Sequence, residues 1–300
     1  MTNDGGAEYE RHEWPQLREP TLVVMLAGWI DAGAAGATAM ALLETELEAR
    51  PLATFNSDTF IDYRARRPVM ELREGVNTRV VWPEIVLKVG RDRLGNDVLL
   101  LTGHEPDSAW QRFTRAVVQL SAELGVVRMI GLGAYPIGVP HTRSSRLSLS
   151  CSSETIARSL PYLRNSVDVP AGVAASLERA LADKGTPTIG LWAQVPHYVA
   201  NMPYPAAAAA LLGGLRDITG ITTDLTALEA EAQLHKARVD ALVAGNEEHV
   251  AMLHQLELAY DAEDVTSGAD PSAPPLTSAD LASGDELAAE LERYLREQGR

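Results

Sequence analysis

Short apolar runs along the chain are each followed by a cluster of glycine, proline, histidine, aspartate or tryptophan. The four clearest strand-like runs cover residues 22–27, 98–101, 126–132 and 188–192. In an open parallel sheet flanked by helices, the residues just past the carboxyl ends of the strands gather at one edge, where ligands bind. The pattern therefore predicts one polar site at a single edge of a sheet, rather than four unrelated loops.

Helical patterns alternate with these strands. Asp31 can cap a helix that continues to residue 50, and further helices are predicted over residues 107–124, 172–184 and 206–215. We also expect strands at 53–60 and 146–151, a loop over 61–75, and a β pair made of residues 79–82 and 84–89. This alternation predicts an α/β protein: a three-layer α/β/α sandwich with a mostly parallel sheet over residues 20–220, after an N-terminal segment of residues 1–19.

The chain after residue 220 predicts a C-terminal helical extension over residues 221–262. A heptad-like seam runs through it at alternating steps of three and four: Leu225, Leu228, Ala232, His235, Val239, Leu242, Asn246, His249, Leu253, Leu256 and Tyr260. Gly245 marks either the turn of a helical hairpin or a weak point in one long helix. The seam packs on the chain's own sheet or forms an oligomer interface. Residues 263–300 are predicted to be a flexible acidic tail with a short helix.

Composition and charge restrict the classes of function. The 300-residue chain has a net charge of −15, which disfavours nucleic acid because binding there depends on phosphate neutralisation. No apolar run approaches the roughly 18 residues of a membrane span, and the N-terminus lacks the pattern of a signal peptide. The single cysteine, Cys151, excludes an internal disulfide and fits a reducing compartment. We therefore expect a cytoplasmic protein that binds neither nucleic acid nor membranes.

Three histidines lie in the clusters beyond the strands, His104, His141 and His197, together with the carboxylates Asp31 and Glu105. Such a set could ligate zinc, but metal sites usually contain a short paired spacing such as His-x-x-x-His, which this chain lacks. A complete dinucleotide fingerprint and a P-loop are missing as well. We therefore predict no metal and no cofactor.

Two kinds of chemistry could use His141. It could act as the base for a serine nucleophile at Ser144, Ser145 or Ser150, although the chain has no Gly-x-Ser-x-Gly elbow. With Arg143 it could instead bind an anion, because a guanidinium can grip a phosphate or carboxylate with two hydrogen bonds.

A structural role stands beside these chemical ones, in which Arg143 forms a salt bridge to Asp31 or Glu105 that locks the loops together. The candidates for catalysis are His141, Arg143, Asp31 and Glu105. The candidates for ligand binding are Trp29, Asp31, His104, Glu105, His141, Arg143, His197 and Tyr198.

Six segments in order resemble the proteasome assembly chaperone 2 family, over about residues 15–260: Gly28-Trp29-Ile30-Asp31-Ala32-Gly33, Tyr63-Arg64-Ala65-Arg66-Arg67-Pro68, Trp82-Pro83, Gly103-His104-Glu105-Pro106 with Trp110, Pro140-His141-Thr142-Arg143 and Val195-Pro196-His197-Tyr198. The resemblance implies a phosphorylase/hydrolase-like fold and a homo-oligomer, with a trimer favoured over a dimer. For eukaryotic and archaeal relatives it also implies a role in protein assembly. Archaeal relatives that dock on proteasomes end in a hydrophobic-Tyr-any tripeptide, whereas this chain ends Gln298-Gly299-Arg300.

We therefore expect a non-catalytic assembly chaperone or scaffold that binds itself and a protein client. One alternative is a small-molecule hydrolase or phosphorylase-like enzyme that uses His141 and Arg143 on an anionic or nucleoside-type substrate. Another is a carboxylate–amine ligase-like activity, which some bacterial members of the family carry as a label, although the chain has no nucleotide motif.

Overall fold

The computed structural model describes residues 8–266. Its strands are β1 Tyr9–Arg11, β2 Thr21–Val24, β3 Arg50–Phe55, β4 Val69–Arg73, β5 Val76–Val81, β6 Ile85–Arg91, β7 Asp97–Gly103, β8 Arg128–Ile137, β9 Leu147–Cys151 and β10 Thr188–Pro196. Its helices are α1 Ala35–Glu46, α2 Ser57–Phe60, α3 Trp110–Glu123, α4 Glu154–Ser159, α5 Val173–Ala182, α6 Pro205–Thr219, α7 Thr226–Ala244 and α8 Glu247–Thr266. Helix α8 runs four residues into the segment predicted as an acidic tail, and the rest of that tail lies outside the described residues.

Eight strands form one sheet in the order β1-β3-β6-β7-β2-β8-β10-β9. The four central neighbours β7, β2, β8 and β10 pair in parallel. The outer pairs are antiparallel, so that β3 points the same way as the central strands and β1, β6 and β9 point the opposite way. Five of the eight strands therefore share one direction, and the predicted mostly parallel sheet is confirmed.

Helices cover both faces of this sheet because successive strand residues point to opposite sides. In β2, Val23 packs in the core beneath α1 and α6, whereas Leu22 and Val24 pack with α3 and α5 on the other face. In β7, Leu100 joins the first core and Leu101 the second. This alternation produces the three layers of the predicted α/β/α sandwich.

The strand predicted over residues 53–60 is shorter than expected. Strand β3 ends at Phe55, and the next residues form the helical turn α2. Asn56 causes this change, because its side-chain oxygen accepts a hydrogen bond from the backbone N–H of Thr59 at 2.9 Å and caps the turn.

The loop predicted over residues 61–75 extends only to residue 68, and the predicted β pair of 79–82 with 84–89 is wrong. Residues 69–73 form β4, which pairs with β5 as an antiparallel hairpin outside the main sheet. Its turn is Glu74-Gly75, where both residues have positive φ, 51° and 83°. Strand β6 instead pairs with β3 and β7.

Helices α7 and α8 fold back on one another. Asp240 of α7 and Glu257 of α8 both contact the loop that follows β8, whereas one straight helix would hold them about 25 Å apart. The break lies at Gly245 and Asn246, and the Asn246 side chain accepts the N–H of Glu248 at 2.8 Å.

Among the helices of residues 8–266, none is long and apolar enough to cross a membrane.

The predicted seam faces inward over most of its length. Leu228, Val239 and Tyr260 are buried, and the first two belong to the core that also holds α1 and α6. Leu242 and Asn246 depart from the pattern and are exposed, because the chain reverses beside them. The helical extension therefore packs along the seam on its own chain, mainly against α6.

Candidate functional site

The residues that follow the four central strands lie at the same edge of the sheet. Asp31 follows β2, His104 follows β7, His141 follows β8 and His197 follows β10. Because these strands are parallel neighbours, their carboxyl ends share an edge, which is the arrangement that the sequence predicts. Contacts among the described residues separate the candidates into two groups along this edge.

The first group joins the loop after β8 to the helical hairpin, and is here called the hairpin joint. It consists of His141, Thr142, Arg143, Arg146 and Tyr198 on the sheet side and of Asp240, Glu257, Tyr260 and Asp261 on the helical side. His141 is at its centre, with a side chain that is 1% exposed.

Both ring nitrogens of His141 are engaged. Nδ1 lies 2.7 Å from the Tyr198 hydroxyl, and Nε2 lies 3.0 Å from a carboxylate oxygen of Asp240. The Tyr198 hydroxyl also accepts the backbone N–H of His141 at 2.8 Å, which leaves its own hydrogen to be donated to Nδ1. Nε2–H then donates to Asp240, so a neutral His141 satisfies every partner.

Burial sets the protonation of these two rings. It lowers the pKa of His141 below its ordinary value, and the neighbouring carboxylate of Asp240 opposes this effect only in part. Burial likewise raises the pKa of Tyr198. The Asp240 carboxylate has a lowered pKa, because Lys236 donates a hydrogen bond to it at 2.8 Å. The group therefore holds a neutral imidazole beside a charged carboxylate.

Arg143 is bound to α8 and not to the carboxylates predicted for it. Its Nε and Nη2 each lie 2.8 Å from an oxygen of Asp261, and its Nη1 lies 3.1 Å from Glu257. The predicted pairing with Asp31 or Glu105 is wrong, because Glu257 and Asp261 are four residues apart and present both carboxylates on one side of α8. The hydrogen bond from Arg143 lowers the pKa of Asp261.

Arg146 and Tyr260 complete the joint. The guanidinium carbon of Arg146 lies 3.4 Å from the centre of the Tyr260 ring, and its Nη2 donates to the Tyr260 carbonyl at 2.7 Å. The Tyr260 hydroxyl donates to the backbone carbonyl of Ser144 at 2.8 Å. The side chain of Tyr260 is buried, which makes it the apolar anchor of α8.

The second group, here called the Trp29 cluster, contains Trp29, Arg66, His104, Glu105 and Asp107. Glu105 is buried and accepts the backbone N–H of Val173, at the start of α5, at 2.5 Å. Arg66 lies 3.1 Å from Asp107 and 3.5 Å from Nδ1 of His104. Burial lowers the pKa of His104, and the charge of Arg66 lowers it further. Trp29 is 45% exposed and covers Gly172.

Asp31 and His197 have local roles beside these groups. The Asp31 carboxylate accepts the backbone N–H groups of Gly36 and Ala37 at 2.7 and 3.0 Å, so it caps α1 as predicted. Burial raises the pKa of Asp31 and lowers that of His197. The His197 ring packs edge-on against Tyr198 with centroids 5.3 Å apart.

The serines considered as nucleophiles bond to other groups. Ser145 donates to the carbonyl of Gln194 at 2.5 Å, and Ser150 donates to Glu178 at 2.9 Å. Ser144 lies 3.4 Å from the Tyr260 hydroxyl. His141 is occupied by Tyr198 and Asp240 and so does not activate any of them in this arrangement. Within residues 8–266 no group of three or more potential ligands is placed to hold a metal ion.

Sequence reasoning missed several partners at this edge, including Arg66, Asp240, Glu257 and Asp261. Three of them lie on α7 and α8. The heptad pattern of these helices indicates which side is buried, but it does not indicate that their polar residues contact the loop after β8. Arg66 lies in one of the six segments that resemble the family, and this position was the only indication in the sequence that it belongs to the site.

Comparisons with known proteins identify relatives of this fold. The model of the PAC2 family matches residues 25–243. A protein of unknown function from Corynebacterium glutamicum ATCC 13032 is similar at 35% identity and TM-score 0.80, covering 85% of this chain and 97% of that one. A Mycobacterium tuberculosis protein of unknown function is similar at 35% identity and TM-score 0.79, covering 87% and 94%.

A proteasome-assembly chaperone homologue from Mycobacterium tuberculosis is similar at 30% identity and TM-score 0.73, covering 79% of this chain and 99% of that one. No functionally curated protein matches the chain.

Proposed function

Because this chain belongs to the PAC2 family, we propose that it is a non-catalytic assembly chaperone or scaffold that forms a homo-oligomer and binds a protein client. The similarity to a proteasome-assembly chaperone homologue over 99% of that protein supports the chaperone part of the proposal. A trimer is the preferred assembly, as the family resemblance implies.

The observation that carries the proposal is the use made of His141 and Arg143. These are the residues best suited to hold an anionic substrate, and both are taken up by contacts within the chain. Arg143 donates hydrogen bonds from three of its nitrogens to Asp261 and Glu257. Both ring nitrogens of His141 have hydrogen-bond partners. Their side chains hold the helical hairpin against the loop after β8, which is a structural role.

The hydrolase or phosphorylase-like alternative would need a different arrangement. An anion-binding Arg143 would face open space with its donors available, and a general base at His141 would lie beside a nucleophile. Opening the hairpin joint would free these groups only at the cost of exposing buried Tyr260 and separating two ion pairs. The geometry therefore favours the scaffold.

The client can be identified and tested in two steps. Native mass spectrometry of the tagged full chain, purified from its own host, gives the mass and identity of any bound protein. Assembly of the purified client complex is then timed with and without the chain. We expect assembly to be faster with the chain, and the finished complex to lack it. A chain that retains only a small molecule, and has no effect on assembly of any co-purified protein, would contradict the proposal.

A further inference from the structure

Trp192 lies on the sheet outside both hydrophobic cores. Its neighbours in β10, Leu191 and Ala193, belong to the core beneath α1 and α6, so Trp192 points to the other face, towards α5. Among the described residues it is a member of neither core, and its side chain is half-buried. The ring packs against β8 at Gly133, where a Cβ would come within 2.5 Å of it. The accessible part of the ring therefore faces away from the sheet.

A carboxylate lies beside this ring. Glu178 of α5 accepts a hydrogen bond from the Ser150 hydroxyl at 2.9 Å, and the same hydroxyl oxygen accepts the indole N–H of Trp192 at 3.3 Å. A Cβ on Gly190 would lie 3.3 Å from Oε2 of Glu178 and 3.1 Å from the indole nitrogen, so both groups approach the same point above the sheet. Trp192, Glu178 and Ser150 are here called the Trp192 site.

Glu178 lacks the cation that usually accompanies a carboxylate removed from water. It is half-buried, and within residues 8–266 it has no ion-pair partner. Burial raises the pKa of Glu178, and the hydrogen bond from Ser150 opposes this effect only in part. No charged side chain of the same residues lies over the Trp192 ring. An unpaired carboxylate beside a tryptophan ring favours a bound cation, since both groups attract positive charge.

We propose that the Trp192 site binds an alkylammonium group, supplied by a free aliphatic amine or by the lysine side chain of another protein. Oε2 of Glu178 is already engaged by Ser150, which leaves Oε1 available. This favours the point charge of an ammonium over a guanidinium, whose strongest contact uses both carboxylate oxygens. The net charge of −15 also raises the concentration of cations around the chain. The site does not depend on the proposed function, because a free amine needs no client.

The test follows the indole N–H signals of the full chain by NMR, with ¹⁵N in its five tryptophans. Trp192→Phe identifies the Trp192 signal by its loss. The probes are cadaverine, which represents a free amine, and Nα-acetyl-lysine N-methylamide, which represents a lysine side chain. The uncharged comparison is the same lysine derivative with its ammonium group acetylated. We expect the Trp192 signal to shift and saturate with at least one of the two amines, and to stay in place with the acetylated derivative.

Glu178→Gln keeps the shape of the side chain and an oxygen for Ser150 but removes the charge. It should weaken amine binding by about tenfold or more, because the ammonium loses its charged acceptor. It should also melt at or above the temperature of wild type, because a half-buried unpaired charge is gone. The matched control is Asp183→Asn, which removes the same charge from a side chain that is 53% exposed at the end of α5, and which should bind the amines like wild type.

A Trp192 signal that shifts with neither amine, or equally with the acetylated derivative, would overturn the proposal. An unchanged affinity in Glu178→Gln, or an equal loss of affinity in Asp183→Asn, would also overturn it, because net charge alone would then attract the amine. Responses to both amines support the shared chemistry, whereas a response to only one of them also identifies the source. A chain that binds these amines but has no effect on assembly of a client would retain this site and lose the proposed function.

Discussion

Arg143 and Asp261 lie 118 positions apart and are joined by two parallel hydrogen bonds of 2.8 Å. This geometry, with two donors of a planar guanidinium on two oxygens of a carboxylate, fixes both distance and orientation. Glu257, one turn earlier on α8, accepts a further N–H of the same guanidinium. The loop after β8 and helix α8 therefore meet in one defined arrangement.

Tyr260 is expected to contribute most of the apolar stability of that arrangement. Tyr260→Ala removes a buried ring on which Arg146 stacks and should lower the free energy of unfolding by about 3–5 kcal/mol. Tyr260→Phe keeps the ring, loses only the hydrogen bond to Ser144 and should cost about 1 kcal/mol. Urea denaturation measures both. Leu258→Ala, at a position 54% exposed on the same helix, serves as control. If Tyr260→Ala cost no more than this control, α8 would not be docked as described.

Mild acid is expected to destabilise the fold. Burial lowers the pKa of His141, and the pKa values of His104, His197 and His235 are lowered as well. Below pH 6.5, the ordinary pKa of histidine, the unfolded chain therefore binds more protons than the folded chain. The contribution of these histidines to the free energy of unfolding is thus fully present above pH 6.5 and is lost as the pH decreases from there. The lowered pKa values of Asp240 and Asp261 act only at a lower pH, below their ordinary value of 3.8.

Urea midpoints at pH values of about 7.5 and 5.5 measure this effect, and the lower pH should give the lower midpoint. His141→Asn should reduce the difference between the two midpoints, because it removes one of the histidines whose pKa is lowered in the folded chain. His254→Gln, which alters an exposed histidine of α8, should leave the difference as it is. The raised pKa values of Asp31 and Glu178 act in the opposite direction, so the decisive comparison is between the variants. A His141→Asn difference equal to that of wild type would show that His141 is not buried in its neutral form.

Local patterns predicted the architecture well and the partners poorly. The apolar runs and Asp31 identify the central strands and the cap of α1, because these depend on neighbours in sequence. Arg143 finds its partners 114 and 118 positions away, and nothing near it in sequence distinguishes Glu257 from Glu105. The β4–β5 hairpin was missed because its arginines and proline resemble a loop, while the Glu74-Gly75 turn that closes it is a weaker signal.

Gly133 is expected to matter for packing and not for a ligand. The motif Gly131-Leu132-Gly133 is an incomplete dinucleotide fingerprint, and the structure places Gly133 directly opposite Trp192 of β10. A Cβ at residue 133 would come within 2.5 Å of the Trp192 ring, which is rigid. Gly133→Ala should therefore destabilise the protein by about 1–3 kcal/mol.

Thermal unfolding of Gly133→Ala measures this, with Gly213→Ala as the control. Gly213 lies in α6 with nothing within 4 Å of an added Cβ, so alanine there should stabilise by up to about 1 kcal/mol. Equal melting temperatures for the two variants would mean that Trp192 does not occupy the space that Gly133 leaves.

The central claim, that His141 and Arg143 hold the helical hairpin and do not bind substrate, is tested most directly by melting temperatures of wild type and Arg143→Ala with and without phosphate or nucleosides. The account predicts that Arg143→Ala melts below wild type, because Asp261 and Glu257 lose their partner. It also predicts that neither ligand shifts either protein. A wild type raised by several degrees with such a ligand, beside a variant that melts like ligand-free wild type and no longer responds, would contradict it.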